Sequence, residues 1–454
     1  MKLNEHIFRA NDIRGIAYDD LNEQVVSLLG RSLGSEALSR DIKELIIGRD
    51  GRVSSPEIME WLSSGILSTG CNVIDIGIVT SPMLYHSTFE LAASSGVVIT
   101  GSHNPGEYNG FKIVFKNRST SSDEILLLKK RIINRDFQLG QGKLDKADIK
   151  ESYINRIVKS IQLNKALDIS IDCGNGAAGV VAKEIYEKLG CNVTELYGNP
   201  DGLFPNHHPD PTVEDNLVDL QREVLAHKAD FGIAFDGDGD RIGVVDEKGQ
   251  ILWGDQLLIL FARAILQEEP GATIVGEVKC SQIMYDDIEK HGGKAVMWKT
   301  GHSLIKDQMK KVKAAIAGEM SGHIFFKHRF FGFDDATYAG LRLLEIVSKS
   351  DAPLSELLSD LPKLYSTPEL RVECPEELKF ELVDKVTEFF KAEGHKVIDI
   401  DGARVVFEDG WGLVRCSNTG PILVMRFEAK NPERLAEIRK YIEDSVQSMR
   451  ERIS

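Results

Sequence analysis

Residues 231–245 read FGIAFDGDGDRIGVV, two apolar runs separated by a loop in which three aspartates alternate with glycines. Both runs are short and rich in β-branched or aromatic residues, which is typical of buried strands. Glycine at alternate positions lets the backbone turn so that the three carboxylates converge. The stretch therefore predicts a strand, an acidic turn and a second strand, with the acidic side chains gathered at the end of the first strand.

The same pattern recurs along the chain, because short β-branched runs precede glycine- or serine-rich loops and then helix-like stretches. The apolar runs lie at residues 45–47, 97–99, 169–171 and 273–275, and helix-like stretches at 56–67 and 178–189. This alternation predicts an α/β protein with mixed or parallel sheets, and strand-then-glycine-loop units at 48–52, 172–176 and 236–240 predict repeated domains. In such sheets ligands bind at the loops beyond the strand ends.

Two polar or proline-containing stretches, 136–151 and 360–375, are candidate domain boundaries. After the second, closely spaced strands are predicted at 396–398, 404–407, 412–414 and 422–425, followed by an amphipathic helix near 432–449. This pattern is typical of a small α+β domain. A chain of 454 residues, at about 150 residues per domain, would hold roughly three domains.

The three carboxylates of the acidic loop, Asp236, Asp238 and Asp240, are hard oxygen ligands that suit Mg²⁺. Their spacing partly matches a calcium-binding EF-hand, with Glu247 at position 12. That loop needs glycine at its sixth position, where this chain has Arg241, and it needs flanking helices where strands are predicted. A solvated acidic turn is disfavoured because clustered carboxylates repel one another without a cation. We therefore expect a Mg²⁺ site.

Composition limits the classes of partner. The net charge of -15 argues against nucleic acid or an anionic membrane as the main partner. A small anionic ligand would need a local basic pocket. The six cysteines form no C-x-x-C pair, and neither a signal peptide nor a membrane span is predicted, so we expect a cytoplasmic protein with reduced thiols. No obligate protein partner is inferred.

The loop TGSHNP at 100–105 follows an apolar run and places the hydroxyl of Ser102 beside His103, with Lys112 a few residues later. Turn residues of this kind are common in ordinary loops. A serine at a strand end, with cations to hold a phosphate, also suits a phosphoryl acceptor.

Two further loops carry polar side chains. The loop GEMSGH at 318–323 offers groups that hydrogen-bond sugar hydroxyls, and it also fits a polar turn. The loop RCSNTGP at 415–421 offers an arginine and short polar donors, which suit a phosphate or a plain hairpin. The candidate residues of these loops are Glu319, Ser321, His323, Arg415, Ser417, Asn418 and Thr419. Other candidate cationic groups are Arg14, Arg49, Arg241, Lys279, His302 and Lys306.

Together and in this order, the four loops resemble those of the α-D-phosphohexomutase family, most strongly its bacterial phosphomannomutase/phosphoglucomutase group. The resemblance extends from FRANDIRG at 8–15 to RCSNTGP at 415–421, nearly the whole chain. It implies three related α/β domains with mixed sheets plus a C-terminal α+β domain, around a central cleft. The expected domains are residues 1–150, 151–252, 253–365 and 366–454.

By resemblance, Ser102 is the phosphorylated serine, and its phosphate completes a Mg²⁺ site with the three aspartates. Glu319, Ser321 and His323 would recognise the sugar, while residues 415 and 417–419 would hold the distal phosphate. Arg14, Lys112, Arg241, Lys279 and His302 would line the cleft. Lys112, His103 and His323 all remain candidates for the proton-transferring group.

The resemblance also implies the reaction, in which hexose 1-phosphate and hexose 6-phosphate interconvert through a hexose 1,6-bisphosphate intermediate. Met320 resembles members acting on glucose and mannose, whereas Asn11 departs from the tyrosine of such members. Phosphoglucosamine mutase is therefore the main alternative. A metal-dependent sugar phosphatase and a non-catalytic sugar-phosphate or Ca²⁺-binding protein are the other classes considered.

Overall fold

The structure, a computed structural model, describes residues 4–9, 12–417 and 420–453. These residues form 22 strands in four sheets and 13 α-helices. Three sheets mix parallel and antiparallel strands, and the fourth is antiparallel. The predicted α/β class with a C-terminal α+β domain is therefore confirmed.

The first domain contains β1 (Ile13–Ile16), α1 (Glu23–Ser39), β2 (Glu44–Arg49), α2 (Ser55–Leu67), β3 (Asn72–Ile78), α3 (Ser81–Glu90), β4 (Gly96–Ile99), β5 (Tyr108–Phe115), β6 (Arg118–Ser119), α4 (Ser122–Asn134) and β7 (Leu144–Lys146). Its sheet has the order β1-β5-β4-β2-β3-β7, with β6 paired to β5. Helix α4 begins with a capping box, in which the Ser121 hydroxyl accepts from the Glu124 amide and the Glu124 carboxylate accepts from the Ser121 amide.

The second domain contains α5 (Lys150–Val158), β8 (Asp168–Asp172), α6 (Ala182–Lys188), β9 (Asn192–Leu196), α7 (Val218–His227), β10 (Phe231–Phe235), β11 (Ile242–Asp246) and β12 (Ile251–Leu252). Its sheet has the order β12-β11-β10-β8-β9. All five residues of β10 are buried, which explains why this strand is a continuous apolar run.

The third domain contains α8 (Gly254–Glu268), β13 (Thr273–Glu277), α9 (Gln282–Lys290), β14 (Lys294–Trp298), α10 (His302–Val312), β15 (Ile316–Gly318), β16 (Ile324–Phe326) and α11 (Ala336–Ser348), with sheet order β14-β13-β15-β16. The fourth contains β17 (Tyr365–Ser366), β18 (Leu370–Glu373), α12 (Glu376–Ala392), β19 (Lys396–Ile398), β20 (Ala403–Phe407), β21 (Gly410–Cys416), β22 (Ile422–Ala429) and α13 (Pro432–Ile453). In the fourth sheet β17, β21 and β18 all pair with β22, and β20 and β19 follow β21.

The first three domains share one four-strand arrangement. In chain order their strands are β2 to β5, β8 to β11 and β13 to β16, and each set has the fourth, third, first and second strand side by side. The fourth strand is antiparallel to the third in every case. The predicted repetition is therefore confirmed, and the loop between the third and fourth strand occupies an equivalent place in all three domains. We call these loop I (residues 100–107), loop II (236–241) and loop III (319–323).

Two details differ from the sequence pattern. The helix predicted at 178–189 begins as a 3₁₀ turn, Ala177–Val180, before α6. A Cβ added at Gly179 would lie 1.8 Å from the Gly198 carbonyl oxygen, so this turn approaches that backbone more closely than a side chain would allow. The candidate boundary stretches 136–151 and 360–375 also supply strands β7, β17 and β18, so they are not plain linkers.

Apolar side chains join the domains. One buried cluster extends through the first three domains, whereas the fourth has a separate cluster. A small cluster of Val278, Trp411 and Leu413 connects the third and fourth domains. There Arg404 donates to the carbonyls of Val278 and Cys280 at 2.5 and 2.9 Å and stacks on Trp411. These contacts hold the fourth domain against the third.

Candidate active site and metal centre

Loop I presents Ser102 to loop II. The Ser102 hydroxyl donates to Asp236 Oδ2 at 2.8 Å and lies 3.2 Å from Nδ1 of His103. Ser102 is buried and has φ of +50°, a left-handed conformation that a non-glycine residue adopts only at a cost. The fold therefore places a strained serine directly against the acidic loop.

Arg52, which sequence reasoning missed, holds loop I in this conformation. Its guanidinium is fully buried and donates to the carbonyls of Ser102 at 2.7 Å, Asn104 at 2.6 Å and Tyr108 at 2.9 Å. It also pairs with Asp50 at 3.1 Å. The GRDGR sequence at 48–52 gave the only signal, an arginine and an aspartate two residues apart after a strand.

Loop II folds around its first carboxylate. Asp236 Oδ1 accepts the backbone amides of Asp240 and Arg241, at 3.0 and 3.1 Å. A Cβ added at Gly237 would lie 2.3 Å from the carbonyl oxygen of Ser102, so glycine permits the contact between loops I and II. Strands β10 and β11 flank the loop, as predicted, which excludes the helix-flanked EF-hand geometry.

Lys112 projects from β5 into the carboxylates. Its ammonium contacts Oδ2 of Asp238 and of Asp240, each at 2.5 Å. These two carboxylates raise the pKa of Lys112 well above its usual value, although burial opposes the charge. Burial, with Asp238 and Asp240 close by, raises the pKa of Asp236 well above its usual value. The cluster is thus short of positive charge even with a lysine inside it.

The acidic loop fits a hard cation. One oxygen from each of Asp236, Asp238 and Asp240 lies within 4.8 Å of the others. Within the part of the chain that the structure describes, the buried atom Asp238 Oδ1 has no hydrogen-bond partner. Buried carboxylate oxygens without partners are costly unless a cation binds them. These three acidic groups can therefore hold a metal ion.

Loop III adds an acid and an imidazole. His323 Nδ1 lies 2.8 Å from Glu319 Oε2 and 3.2 Å from the Ser321 hydroxyl, and its Nε2 lies 3.3 Å from Asp240 Oδ1. Burial alone would lower the pKa of His323, but Asp240 and then Glu319 raise it to about 9. Arg241 Nε lies 3.3 Å from His323 Nε2, so loops II and III also meet.

The remaining predicted cationic groups lie around these loops. Arg14 donates to Asn104 at 2.6 Å and pairs with Asp12 at 2.5 Å. His302, at the start of α10, has its ring centroid 5.9 Å from that of His323. Lys306 pairs with Asp334 at 2.8 Å. Arg49, at the end of β2, donates to the Asp50 carbonyl at 3.2 Å.

The fourth domain reaches the same region through Arg415. Its guanidinium pairs with Asp401 at 3.0 Å, and Asp401 accepts the backbone amide of Thr300 at 3.0 Å. The next residue, Gly301, donates its amide to Glu319 at 2.7 Å. A continuous polar chain thus connects Arg415 to loop III.

Lys279 is enclosed by two acids that the sequence did not single out, Glu277 at 3.5 Å and Glu369 at 3.0 Å. Ser417 is buried, and its carbonyl accepts from Lys379 at 2.9 Å. The predicted phosphate-site residues Asn418 and Thr419 lie outside the described residues. So does Asn11, which stands where the resembling members have tyrosine. Asp401, Glu277 and Glu369 were missed because isolated acids far apart in sequence carry no local pattern.

Comparison with known proteins identifies the family. Four family models match in chain order: "Phosphoglucomutase/phosphomannomutase, alpha/beta/alpha domain I" at residues 5–138, domain II at 151–249, domain III at 253–365 and the C-terminal domain at 369–445. The chain belongs to the phosphoglucomutase/phosphomannomutase family. Among the described residues, no helix has the length and apolar character needed to cross a bilayer.

Relatives within this family match over nearly their whole length. A Pseudomonas putida protein named phosphomannomutase/phosphoglucomutase is 46% identical over 437 residues, covering 96% of this chain and 94% of that protein. A Neisseria meningitidis phosphoglucomutase is 45% identical, covering 97% of each chain. The crystal structure of a phosphoglucomutase/phosphomannomutase family protein from Burkholderia thailandensis has a TM-score of 0.94 at 41% identity, covering 99% of this chain and 98% of the other.

Proposed function

We propose that this protein interconverts hexose 1-phosphate and hexose 6-phosphate, with mannose, glucose or both as the sugar. The observation that carries the proposal is the contact between the Ser102 hydroxyl and Asp236 within the acidic cluster. A phosphate on Ser102 would lie where a cation and Lys112 balance its charge. The names of the relatives support the same activity.

In this proposal phospho-Ser102 gives its phosphoryl group to the free hydroxyl of the substrate, which makes a hexose 1,6-bisphosphate. The P–O bond to Ser102 breaks as the new P–O bond forms, and the substrate hydroxyl loses its proton. After the intermediate reorients, its other phosphoryl group returns to the Ser102 oxygen. The balance of bonds is the same in both steps, so no external phosphate donor is consumed.

Mg²⁺ would be held by Asp236, Asp238 and Asp240 with an oxygen at Ser102. When bound, it would neutralise negative charge on the transferring phosphoryl group. Lys112 adds a positive charge at the same place and is held there by two carboxylates. His103 lies within hydrogen-bond distance of the Ser102 oxygen, and we propose His103, Lys112 or His323 as the group that carries the proton.

Recognition of the sugar would fall to loop III, through Glu319, Ser321 and His323, whose side chains form one hydrogen-bonded set. The non-transferred phosphate would bind at the fourth domain, to Arg415, Ser417, Asn418 and Thr419. Further cleft residues in this proposal are Arg14, Arg241, Lys279 and His302. A phosphate clamp with a few hydroxyl contacts suits a substrate that must bind in two orientations.

The test combines peptide mapping with a coupled assay. We expect the purified protein to carry phosphate on the Ser102 peptide after incubation with hexose 1,6-bisphosphate. Ser102→Ala should carry no phosphate on that peptide, and its mutase rate should fall at least about 10³-fold. Ser160→Ala is the control, because it removes a remote hydroxyl that donates to the Ile157 carbonyl. It should keep both the phosphate on the Ser102 peptide and the mutase rate.

Mutase activity that survives Ser102→Ala would refute the mechanism, and free phosphate as the main product would indicate a phosphatase. The same assay identifies the preferred sugar of the substrate. Much faster turnover of glucosamine 1-phosphate than of mannose or glucose 1-phosphate would replace the proposed activity by phosphoglucosamine mutase.

A further inference from the structure

Behind the acidic loop, three side chains converge on one buried point, Asp240, His323 and Asp334, and His302 lies beside them. Asp240, His323 and Asp334 each offer an atom within 4.8 Å of the others. Asp334 Oδ2 also lies 4.0 Å from His302 Nδ1. Both aspartates are fully buried, and His323 is 5% exposed.

Three atoms of this cluster make no hydrogen bond, although each lies within 4.0 Å of a charged or ionisable group of the cluster. Within the described ranges, Asp240 Oδ1, Asp334 Oδ2 and His302 Nδ1 are buried and make no hydrogen bond. The other oxygen of each aspartate is engaged, Asp240 Oδ2 by Lys112 and Asp334 Oδ1 by Lys306. Each carboxylate is therefore pinned by one ammonium and presents its second oxygen to the same space. Unpartnered buried oxygens and a ring nitrogen that face one another indicate a missing ligand.

We propose that these residues form a second metal site, which shares Asp240 with the acidic triad, for a divalent transition ion of the Zn²⁺ class. Nitrogen with oxygen ligands favours Zn²⁺, Co²⁺ or Ni²⁺ over Mg²⁺, which prefers oxygen alone. Asp240 bridges the two sites, because Oδ2 faces the Lys112 side and Oδ1 faces His323.

The distances suit a small ion. Zn²⁺ binds nitrogen and oxygen ligands at about 2.0–2.2 Å, so two ligands of a tetrahedral site are about 3.4 Å apart. His323 Nε2 lies 3.3 Å from Asp240 Oδ1 and 4.0 Å from Asp334 Oδ2. His302 Nδ1 also lies 4.0 Å from Asp334 Oδ2. A contraction of roughly half an ångström would bring the two longer of these three pairs to that separation.

The surroundings of His323 match those of a metal-bound imidazole. Its Nδ1 lies 2.8 Å from Glu319 Oε2, so Nε2 is the nitrogen that faces the two aspartates. A carboxylate that fixes the far nitrogen is the usual outer-shell partner of a metal-binding histidine. Arg241 Nε, 3.3 Å from Nε2, opposes a cation there and must move aside when the ion binds.

An ion at this site would occupy His323, His302 and one oxygen of Asp240. If the proposed function is right, these groups are needed for turnover, so Zn²⁺ should inhibit even when Mg²⁺ saturates the acidic triad. Binding itself does not depend on that function. The binding experiment and the activity experiment can therefore fail separately.

The test uses the full chain in saturating Mg²⁺, with Zn²⁺ alone as the probe. Equilibrium dialysis with elemental analysis should show one tightly held Zn²⁺ per chain. Asp334→Asn and, independently, His302→Gln should each weaken it at least about tenfold. Asp236→Asn, which alters only the first site, should leave Zn²⁺ binding within about twofold of the wild type. Circular dichroism confirms that each variant is folded.

Cobalt gives a second readout that a structural defect does not mimic. Co²⁺ bound to nitrogen and oxygen ligands should produce visible absorption bands that persist in excess Mg²⁺ and disappear in His302→Gln. Zn²⁺ that is displaced by Mg²⁺, or that binds both variants as tightly as the wild type, would overturn the proposal. In that outcome the mutase proposal would be unaffected.

Discussion

Loops I and II occupy equivalent places in equivalent domains, yet different residues hold them in shape. Loop I depends on Arg52, a residue far from it in sequence that donates to its carbonyls. Loop II depends on its own first residue, because Asp236 accepts two amides of the same loop. The repeated strand order therefore determines where each loop lies. The side chains that contact each loop determine how rigid it is and what chemistry it carries.

The largest expected effect comes from breaking the support of loop I. Arg52→Met removes the cation paired with the buried Asp50 carboxylate and the side-chain donor to several loop I carbonyls, which should lower the free energy of unfolding by about 3–5 kcal/mol. Arg49→Met is the matched control in the same segment, since the Arg49 side chain makes one hydrogen bond within the described residues, to the Asp50 carbonyl. This change should lower the free energy of unfolding by about 1 kcal/mol. Urea unfolding measures both. Equal losses would show that Arg52 has no special role in loop I.

A methyl group between the loops tests whether their contact matters. Gly237→Ala would place a Cβ 2.3 Å from the Ser102 carbonyl oxygen, so the loops must separate. We expect a loss of about 1–3 kcal/mol in unfolding free energy and a clear fall in mutase rate.

Gly190→Ala is the control for this change. Its φ is +85° and its added Cβ meets nothing within 4 Å. The backbone strain should cost about 1 kcal/mol and leave the mutase rate unchanged. A wild-type rate in Gly237→Ala would show that the close approach of the loops is dispensable.

Loop II should tolerate loss of its charge better than loop I tolerates loss of Arg52. Asp236→Asn keeps an oxygen that can accept the two amides and removes one of three clustered negative charges. The metal-free variant should be as stable as the wild type, or more stable by about 1 kcal/mol, while Mg²⁺ affinity falls at least about tenfold. Calorimetry and thermal unfolding without metal measure the two quantities. Exposed Asp215→Asn should change neither, and a strong destabilisation of Asp236→Asn would contradict this account.

The smallest effect concerns acid stability at α4, the helix that follows the fourth repeated strand of the first domain. Burial opposes ionisation of Glu124, but the Ser121 amide, Arg40 and Arg118 lower its pKa to about 2. Since the folded pKa lies below the unfolded value, this stabilisation is present above about pH 4.5 and is lost as the pH falls toward 2.

Glu124→Gln should therefore be less stable than the wild type at pH 7, and the difference should shrink steadily below pH 4.5. Urea unfolding at a series of pH values measures it, with exposed Glu151→Gln as the control. A difference that stays constant down to pH 2 would show that the Glu124 charge does not contribute.

Much of the fold could be predicted from the sequence, because buried strands such as β10 and β13 are recognisable apolar runs and glycine marks the loops after them. The predicted small α+β domain after residue 375 also matches the antiparallel sheet with α12 and α13. What could not be predicted was the equivalence of loops I, II and III. It depends on strand order, which leaves little trace in local sequence.

The need of the acidic loop for a cation could be predicted from the sequence for a simple reason. Three carboxylates within five residues repel one another unless a cation is present, so the sequence by itself determined that this turn needs positive charge. It also determined the strands on either side and, by the order of four loops, the family.

Only the tertiary structure decided which charges meet. Lys112 and Ser102 come to the acidic loop from another domain, Arg52 supports loop I from a neighbouring strand end, and Asp334 faces His302 and His323 across a buried space. Each of these pairings joins residues far apart in the chain. Packing of the first domain against the second brings Lys112 and Ser102 to the acidic loop, whereas the chain's path within one domain makes the other pairings. Local patterns of polarity carry no record of either.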